Sequence, residues 1–474
     1  MPKNPGGTRR LGALFCAVYP LLGGCASDAL PSTAPGSVSA SPSTSIGTVA
    51  TVTWKTSTPT IGYVSYGTTK SVEQSAPLET AASVDHSRTL LGLAADTTYY
   101  YRVITWDTPN VTAGQSEVLS FHTAPLPAGT PTLHAEHYEV LDEDGKPEAP
   151  MDDYVIVPFV RASGTTVGIV DPAGALIWYH LESEGRRVTR ARLSGDNKSV
   201  LYTAINDENP ADSAIVRVAI DGSSTSSLSV PNLGSDFAVH ADGTLAVLMA
   251  DTATMPGVVG DKIVEIDPAG AQKTVFTTFN CFDPAKSPGD GSTPGWTGAS
   301  ALQLDSQRDV YYLALRNLSS VVQVNRESGA CDWVLGDDDA RTLEFAQGAS
   351  ASATTRPFVH PGGIQGSASR LVVLDADGGA NGSRTAVYGL DFDTSTATET
   401  HAYDASPRVD VEQQGEATVV AGRAVLSNWS NGSRMDLVSE SGALIWKLEV
   451  TSGERLGYHT AFRDLYDVKV EGNQ

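Results

Sequence analysis

Basic residues, cysteine and long apolar runs are all scarce in this chain of 474 residues. It holds 32 Lys and Arg against 55 Asp and Glu, which gives a formal net charge of −23. Such a surface repels nucleic acid and anionic lipid, and no cluster of Lys or Arg offsets it. We therefore expect no nucleic-acid partner.

With only four cysteines, the chain has too few thiolates for a cysteine-rich zinc site. Two of them lie in the N-terminal segment, which leaves Cys281 and Cys331 in the rest of the chain. In an exported protein a disulfide between these two is predicted. The acidic run at residues 336–340 (GDDDA) is typical of a solvated loop, with a calcium site as the alternative. We expect neither a metal nor a cofactor.

The N-terminal apolar run, residues 11–22, is too short to span a bilayer, since a helix needs about 20 residues. Three basic residues precede it, and the pattern predicts a signal peptide over residues 1–24. Residues 22–25 (LGGC) resemble the bacterial lipobox, in which the cysteine becomes the new N-terminus and carries the lipid. A plain secretory signal in which Cys25 is incidental is the alternative.

Residues 25–45 are rich in Ser, Ala and Pro and contain a single charge. Such a segment buries too little apolar surface to fold, so it predicts a flexible tether. The sequence thus predicts an exported protein of the cell envelope. Its lipid would anchor it to a membrane, either the outer membrane or the cell surface.

Residues 46–125 alternate between apolar and polar positions, with turn residues at short intervals, as in an all-β sandwich. Trp54 and the segment LGLAADTTYYYRV resemble the fibronectin type III pattern, with Tyr99 in the place of the tyrosine-corner residue. This resemblance is silent on function, and we favour a spacer.

Residues 130–474 contain an internal repeat in which a strand, an Asp- or Gly-containing turn and a second strand recur. Six copies alternate with a second type of hairpin; examples are TVGIVDPAGALIWYHL, KIVEIDPAGAQKTVF and RMDLVSESGALIWKLEV. No stretch of useful length has a helical period. The pattern predicts an all-β protein, a fibronectin type III-like sandwich followed by a six-bladed β-propeller.

Three phrases of the repeat region resemble the bacterial arylsulfotransferase family: FAVHADGTLAVL, the segment from WTGASALQL to ACDWVLG, and RPFVHPGGIQG. Members of that family are six-bladed propellers that move a sulfuryl group from one phenol to another through a transiently sulfated histidine. The resemblance implies a small phenolic or aryl-sulfate ligand. It places His360 at the nucleophile and Arg316 at the arginine that grips the sulfuryl oxygens.

The chain departs from the family where supporting groups are expected. It has Gly-Ser-Asp-Phe at residues 234–237 instead of His-His-Asp-Phe, and Gly-Ala-Ser at 298–300 instead of His-Ala-Asn. Pro361, rather than Asp, follows the matched histidine. General acid–base help of the missing kind is worth about 10²–10⁴-fold.

Other side chains are candidates to fill these gaps. His459 is a candidate to supply the missing catalytic imidazole, and Ser235, Asp236 and Ser300 occupy matched positions as candidate substrate-binding residues. Two functions remain open: an arylsulfotransferase-like enzyme, and a non-catalytic propeller that binds a ligand or a protein after losing the family's histidines.

Overall fold

The computed structural model describes residues 34–108, 111–142, 144–182, 184–291, 293–336, 339–346, 356–376, 382–420 and 424–466. Regular structure in these residues is almost entirely β-strand, so the predicted all-β class is confirmed. The helical segments in this part of the chain are 3-10 turns: Pro210–Asp212, Thr278–Asn280, Arg316–Leu318 and Ser430–Gly432. None of the helices in the described ranges has the length and apolar character needed to cross a membrane.

The predicted signal peptide and Cys25 lie outside the described residues. The structure describes the predicted tether only from residue 34 onward. Part of that stretch is a strand rather than a flexible segment. Gly36–Pro42 forms a strand, β1, because its backbone pairs antiparallel with the next strand along residues 50–55.

Seven strands make up the first sheet. They are β1, β2 (Ala50–Gly67), β3 (Gln74–Ser75), β4 (Ser83–Leu90), β5 (Thr98–Thr108), β6 (Val111–Gln115) and β7 (Leu119–His122). The long strand β2 pairs with β1 and β4 through its first half and with β5 through its second half. Hydrogen bonds therefore join into one sheet the strands that the sequence predicted as two packed layers.

Tyr99 lies in the core of this first sheet, and its hydroxyl accepts a hydrogen bond of 2.9 Å from the backbone N–H of Ala94. A tyrosine corner makes a contact of this kind. The fibronectin type III assignment itself stays a prediction, as do the predicted boundaries at residues 46, 125 and 130.

From Tyr154 onward, antiparallel sheets follow one another along the chain, a propeller-like arrangement. Four are separate: β9–β11 (Tyr154–Arg161, Gly164–Val170, Leu176–Glu182), β12–β15 (Ala191–Leu193, Ser199–Ala204, Ala214–Ala219, Thr225–Ser229), β16–β19 (Leu233–Val239, Leu245–Asp251, Gly260–Ile266, Gln272–Thr277) and β20–β23 (Ala299–Asp305, Val310–Leu315, Ser320–Asn325, Cys331–Gly336).

A ten-stranded sheet contains most of the remaining strands. Its members are β8 (Leu133–His137), β24 (Glu344–Phe345), β25 (Pro361–Gly366), β26 (Arg370–Asp375), β27 (Arg384–Asp391), β28 (Thr396–Asp404), β29 (Glu416–Val420), β30 (Ala424–Asn428), β31 (Arg434–Val438) and β32 (Leu444–Val450). The number of separate hydrogen-bonded sheets therefore differs from the six blades predicted: in the described residues, four sheets of the propeller region are separate from the ten-stranded one. One parallel pair, Gly363 with Glu416, joins β25 to β29 and merges two further groups of strands.

The two ends of the propeller region meet in the first of its sheets. The short strands β33 (Arg455–Leu456) and β34 (Thr460–Phe462) both pair antiparallel with β9. The side chains of Leu456 and Phe462 are buried in the largest apolar cluster, together with Trp178 and Trp446. The last strands therefore close the ring against the first, as radial repetition requires.

A disulfide joins Cys281 to Cys331, with their Cα atoms 6.2 Å apart, as the sequence predicted. Cys281 follows the turn at Thr278–Asn280, and Cys331 begins β23. The bond therefore links two neighbouring sheets.

Candidate functional site

Two neighbouring cavities are lined by residues from successive sheets of the propeller region. The larger, of about 450 Å³, and the smaller, of about 160 Å³, are lined by successive parts of the same chain segments. Thr189 lines the larger cavity and Arg190 the smaller, and the same order recurs for Ser235 and Ala238. The innermost segments therefore run from one cavity to the other.

A buried ion cluster lies between the two cavities. The Arg190 guanidinium donates to both oxygens of Asp236, at 2.8 and 2.9 Å, and to both oxygens of Glu416, at 2.8 and 2.7 Å. It also donates to the backbone carbonyl of His459 and lies 4.7 Å from the ring centre of Tyr458. Because the cation faces two carboxylates at bidentate distances, it neutralises charges that burial would otherwise make costly.

Asp236 belongs to this cluster rather than to a cavity. Its side chain is fully buried, and it accepts further hydrogen bonds from the backbone N–H groups of Phe237 and Leu302. With both oxygens engaged, its position does not fit the substrate-binding role that the sequence suggested.

Ser235 and Ser300 do line the larger cavity, as their matched positions suggested. The Ser235 hydroxyl donates to the carbonyl of Ser300 at 2.8 Å. The Ser300 hydroxyl donates at 2.9 Å to the carbonyl of Pro361, the residue after His360. These two hydroxyls therefore tie together three of the segments around the cavity.

Arg316 lines the same cavity from the start of its 3-10 turn. Its backbone N–H donates to the carbonyl of Gly298 at 3.0 Å, which holds the turn against residues 298–300. Its guanidinium Nη1 lies 3.4 Å from the backbone carbonyl of His360. The structure thus brings the two family-matched residues together.

The His360 imidazole, however, is directed to the rim. Its Nε2 pairs with the carboxylate of Asp290, and its side chain is 21% exposed. The backbone of His360 has a φ of 52°, in the left-handed region, and His360 is not among the residues that line the larger cavity in the described part of the chain. Arg316 and His360 are therefore neighbours, but only the guanidinium lines the cavity.

His459 lies at the smaller cavity, beyond the ion cluster from Arg316. Its Nε2 is 2.7 Å from the Thr418 hydroxyl, and its backbone N–H donates to Glu416 at 2.8 Å. Burial lowers the pKa of His459 to about 4, so the imidazole is neutral at pH 7. The three predicted catalytic residues are consequently not assembled around one cavity.

Gly298 has no room for a side chain. Its φ is 61°, and a Cβ atom there would lie 2.4 Å from Thr293 Oγ1 and 2.8 Å from the Asn317 amide. A side chain of any size would collide with both neighbours. An imidazole cannot be accommodated at residue 298 without rebuilding the turn.

Asp261, which sequence reasoning missed, is hydrogen-bonded to the residue after Gly298. It lines the larger cavity, and its Oδ2 accepts hydrogen bonds from Thr297 Oγ1 at 2.5 Å and from the Ala299 backbone N–H at 2.9 Å. Burial raises the pKa of Asp261. Asp261 directly precedes the repeat phrase KIVEIDPAG, whose own aspartate is Asp267, and no sequence signal marks it.

Arg187, Asp207 and Glu412 also contribute charged groups to the lining of the larger cavity. Arg187 Nε and Nη2 each donate to one oxygen of Asp207 at 2.8 Å. In the described part of the chain, no three His, Cys, Asp or Glu side chains gather as a metal site would require.

Solved structures similar to this chain share low sequence identity with it. A chain of a nidogen/laminin complex is 13% identical, with a TM-score of 0.43, over 65% of this chain and 98% of that one. A protein of unknown function from Bacteroides caccae is 10% identical, with a TM-score of 0.44, over 67% and 100%. The β-propeller domain of Cps50 (Swd1) from Myceliophteria thermophila is 9% identical, with a TM-score of 0.38, over 68% and 91%.

No curated protein matches the chain. A family model does match part of it, in the stretch that contains Arg316, Asp261 and the turn at residues 298–300 but ends before His360. Residues 149–349 match the model of the family described as Arylsulfotransferase (ASST).

Proposed function

We propose that this protein transfers sulfuryl groups between phenolic compounds, with the larger cavity as the site. The observation that carries the proposal is the position of Arg316, whose guanidinium lines that cavity within the stretch matched to the arylsulfotransferase family. A guanidinium fork suits the oxygens of a sulfuryl group, to which it donates two parallel hydrogen bonds.

The rest of the cavity supports an aromatic ligand. Leu233, Pro294, Leu374 and Val411 contribute apolar surface, and a volume of about 450 Å³ lies in the range of small-molecule sites. The rings of the donor and acceptor phenols would lie against these side chains, while the sulfuryl group faces Arg316.

In this proposal His360 is the nucleophile. The imidazole does not line the cavity and its Nε2 is paired with Asp290, so the proposal places the sulfuryl group at the edge of the cavity beside Arg316, where Nδ1 attacks sulfur as the bond to the phenolic oxygen breaks. The carboxylate would stabilise the positive charge that the ring gains on sulfation. The acceptor phenol then attacks the same sulfur and frees the imidazole.

The proposal extends to the location of the protein. The apolar run at residues 11–22 and the LGGC sequence support export and a lipid on Cys25. Expression of the full chain with a labelled fatty acid would contradict the anchor if wild-type protein and Cys25→Ala carried equal amounts of label.

The test of function is the release of a chromogenic phenol from its sulfate ester by the purified protein, with and without an acceptor phenol. We expect acceptor-dependent release that is lost in His360→Ala, and that falls by about 10²–10³-fold in Arg316→Ala, because one oxyanion donor contributes that much. His122→Ala is the matched control, since His122 also pairs with an aspartate, Asp96, but on the exposed surface of the first sheet.

A binding function without catalysis has one observation in its favour. The His360 imidazole is directed to Asp290, and both motifs that bring further histidines in the family lack them here. Saturable binding of the aryl sulfate with no release of phenol, in wild type and His360→Ala alike, would favour this second function.

A further inference from the structure

We propose that Asp261 is the group that moves protons in the larger cavity: it protonates the departing phenolate and later accepts the proton of the attacking phenol. This inference rests on the proposed sulfuryl transfer. It assigns to a carboxyl group the task that the family's histidines would perform.

The Oδ2 atom of Asp261 accepts two hydrogen bonds from neighbouring residues, and the Oδ1 atom accepts neither of them. The hydrogen bonds from Thr297 Oγ1 and from the Ala299 N–H both go to Oδ2. Oδ1 is therefore the oxygen of this cavity-lining carboxyl that can carry a proton toward a ligand. Burial raises the pKa of the group, which shifts its equilibrium toward the protonated form.

The turn at residues 298–300 connects Asp261 to the other two groups of the proposed reaction. The Ala299 N–H binds Asp261, and the Gly298 carbonyl accepts from the backbone of Arg316. The Ser300 hydroxyl binds the carbonyl of Pro361, beside His360. Residues 298–300 therefore link the Asp261 carboxyl group to the backbone segments that carry Arg316 and His360.

The other titratable groups in the described lining of the larger cavity suit this role less well. Asp207 has both oxygens engaged by Arg187, and that hydrogen bonding lowers its pKa. Glu412 is exposed to solvent. Burial raises the pKa of Tyr458 well above its usual range, so this phenol keeps its proton and does not act as a base.

The proton balance closes over one turnover. In the first step the bond from the His360 nitrogen to sulfur forms, the bond from sulfur to the donor oxygen breaks, and that oxygen takes the proton of Asp261. In the second step the acceptor oxygen attacks sulfur, the electron pair of the nitrogen–sulfur bond returns to the imidazole, and Asp261 takes the acceptor's proton. No further reactant is needed.

The experiment compares two donors that differ in the acidity of the phenol they release. The phenolate released from phenyl sulfate is strongly basic and needs a proton. The 4-nitrophenolate released from 4-nitrophenyl sulfate is weakly basic and does not. We measure the first-turnover release of phenol from the full-length protein, before any acceptor is added, in wild type and in Asp261→Asn. The amide keeps an oxygen to accept from Thr297 and Ala299, and thermal unfolding checks that the variant is folded.

We expect Asp261→Asn to slow release from phenyl sulfate by about 10²–10³-fold and release from 4-nitrophenyl sulfate by less than about tenfold. Asp207→Asn, the matched control in the same cavity, should change both rates by the same factor. Equal effects of Asp261→Asn on the two donors would overturn the role of Asp261 while leaving sulfuryl transfer intact. A wild-type protein that releases neither phenol would overturn both.

Discussion

Two arginines three positions apart each hold an aspartate through two nitrogens, in very different surroundings. Arg190 holds Asp236 at 2.8 and 2.9 Å, and Arg187 holds Asp207 at 2.8 Å through each of two nitrogens. The Arg190 side chain is 2% exposed and that of Arg187 is 37% exposed. The pair therefore offers a direct measure of what burial does to an ion pair.

Arg190→Leu should lower the free energy of unfolding by about 3–5 kcal/mol, because it leaves the carboxylates of Asp236 and Glu416 buried and unpaired. Arg187→Leu should cost less than about 1 kcal/mol, since water screens an exposed pair and solvates the carboxylate left behind. Urea denaturation followed by fluorescence measures both. Equal losses in the two variants would show that the cluster between the cavities contributes no more than a surface pair.

Single residues were predictable from sequence only where a local motif surrounds them. The phrases around Arg316 and His360 led to two residues that are neighbours, with Arg316 Nη1 3.4 Å from the His360 carbonyl, but only Arg316 lines the larger cavity. Asp236 sat in a matched phrase as well, but its role is decided by Arg190, a residue 46 positions away that no local pattern connects to it. Asp261 likewise gains its position in the cavity from Ala299, on another sheet.

Individual strands of the propeller region followed the sequence closely, because short apolar runs bounded by Asp, Pro and Gly turn residues are typical of buried strands. The repeat TVGIVDPAGALIWYHL forms the hairpin of β10 and β11, with Ile169 opposite Trp178. The number of separate blades was not predictable in the same way. One backbone pair, Gly363 with Glu416, merges two groups of strands, and a pair of backbone groups leaves no trace in side-chain periodicity.

The disulfide fastens two neighbouring sheets, and its contribution follows from the length of chain that it closes. Cys281 and Cys331 are separated by 50 positions, for which loop entropy predicts about 4 kcal/mol of stabilisation. The double variant Cys281→Ser, Cys331→Ser should therefore unfold at a lower urea concentration than the oxidised wild type.

A reducing agent provides the control for that measurement. Dithiothreitol should bring wild type to the stability of the double variant and should leave the double variant unchanged. If reduction left the urea midpoint of wild type where it was, the bond would contribute nothing to the folded state.

At the scale of the whole molecule, stability depends on joining the ends of the propeller region. β33 and β34 pair with β9, so chain positions about 300 residues apart share one sheet. The same closing segment supplies Tyr458 to the larger cavity and His459 to the smaller one. It also reaches the first sheet, where the Tyr466 hydroxyl accepts a hydrogen bond from the Leu91 N–H at 2.8 Å.

Removing the closing strands should therefore do more than shorten the chain. A truncation after Val450 exposes the pocket that Leu456, Phe462 and Leu465 fill in the largest apolar cluster. Each such side chain contributes about 1.5–3 kcal/mol, so the loss approaches the 5–15 kcal/mol that keeps an ordinary domain folded. We expect wild type to unfold in a single thermal transition. The chain truncated after Val450 should unfold in a broad transition that begins at a much lower temperature.

A second truncation, after Tyr466, keeps every closing contact described above and should unfold in one sharp transition like the full chain. If the chain ending at Val450 also melted sharply and near the wild-type temperature, the sheets would be stable without closure. The two cavities would then owe their shape to neighbouring sheets packing side by side, and the positions of Tyr458 and His459 would be incidental to the fold. The opposite result would mean that the fold and both cavities depend on the same short segment, because the strands that complete the ring also supply its axial side chains.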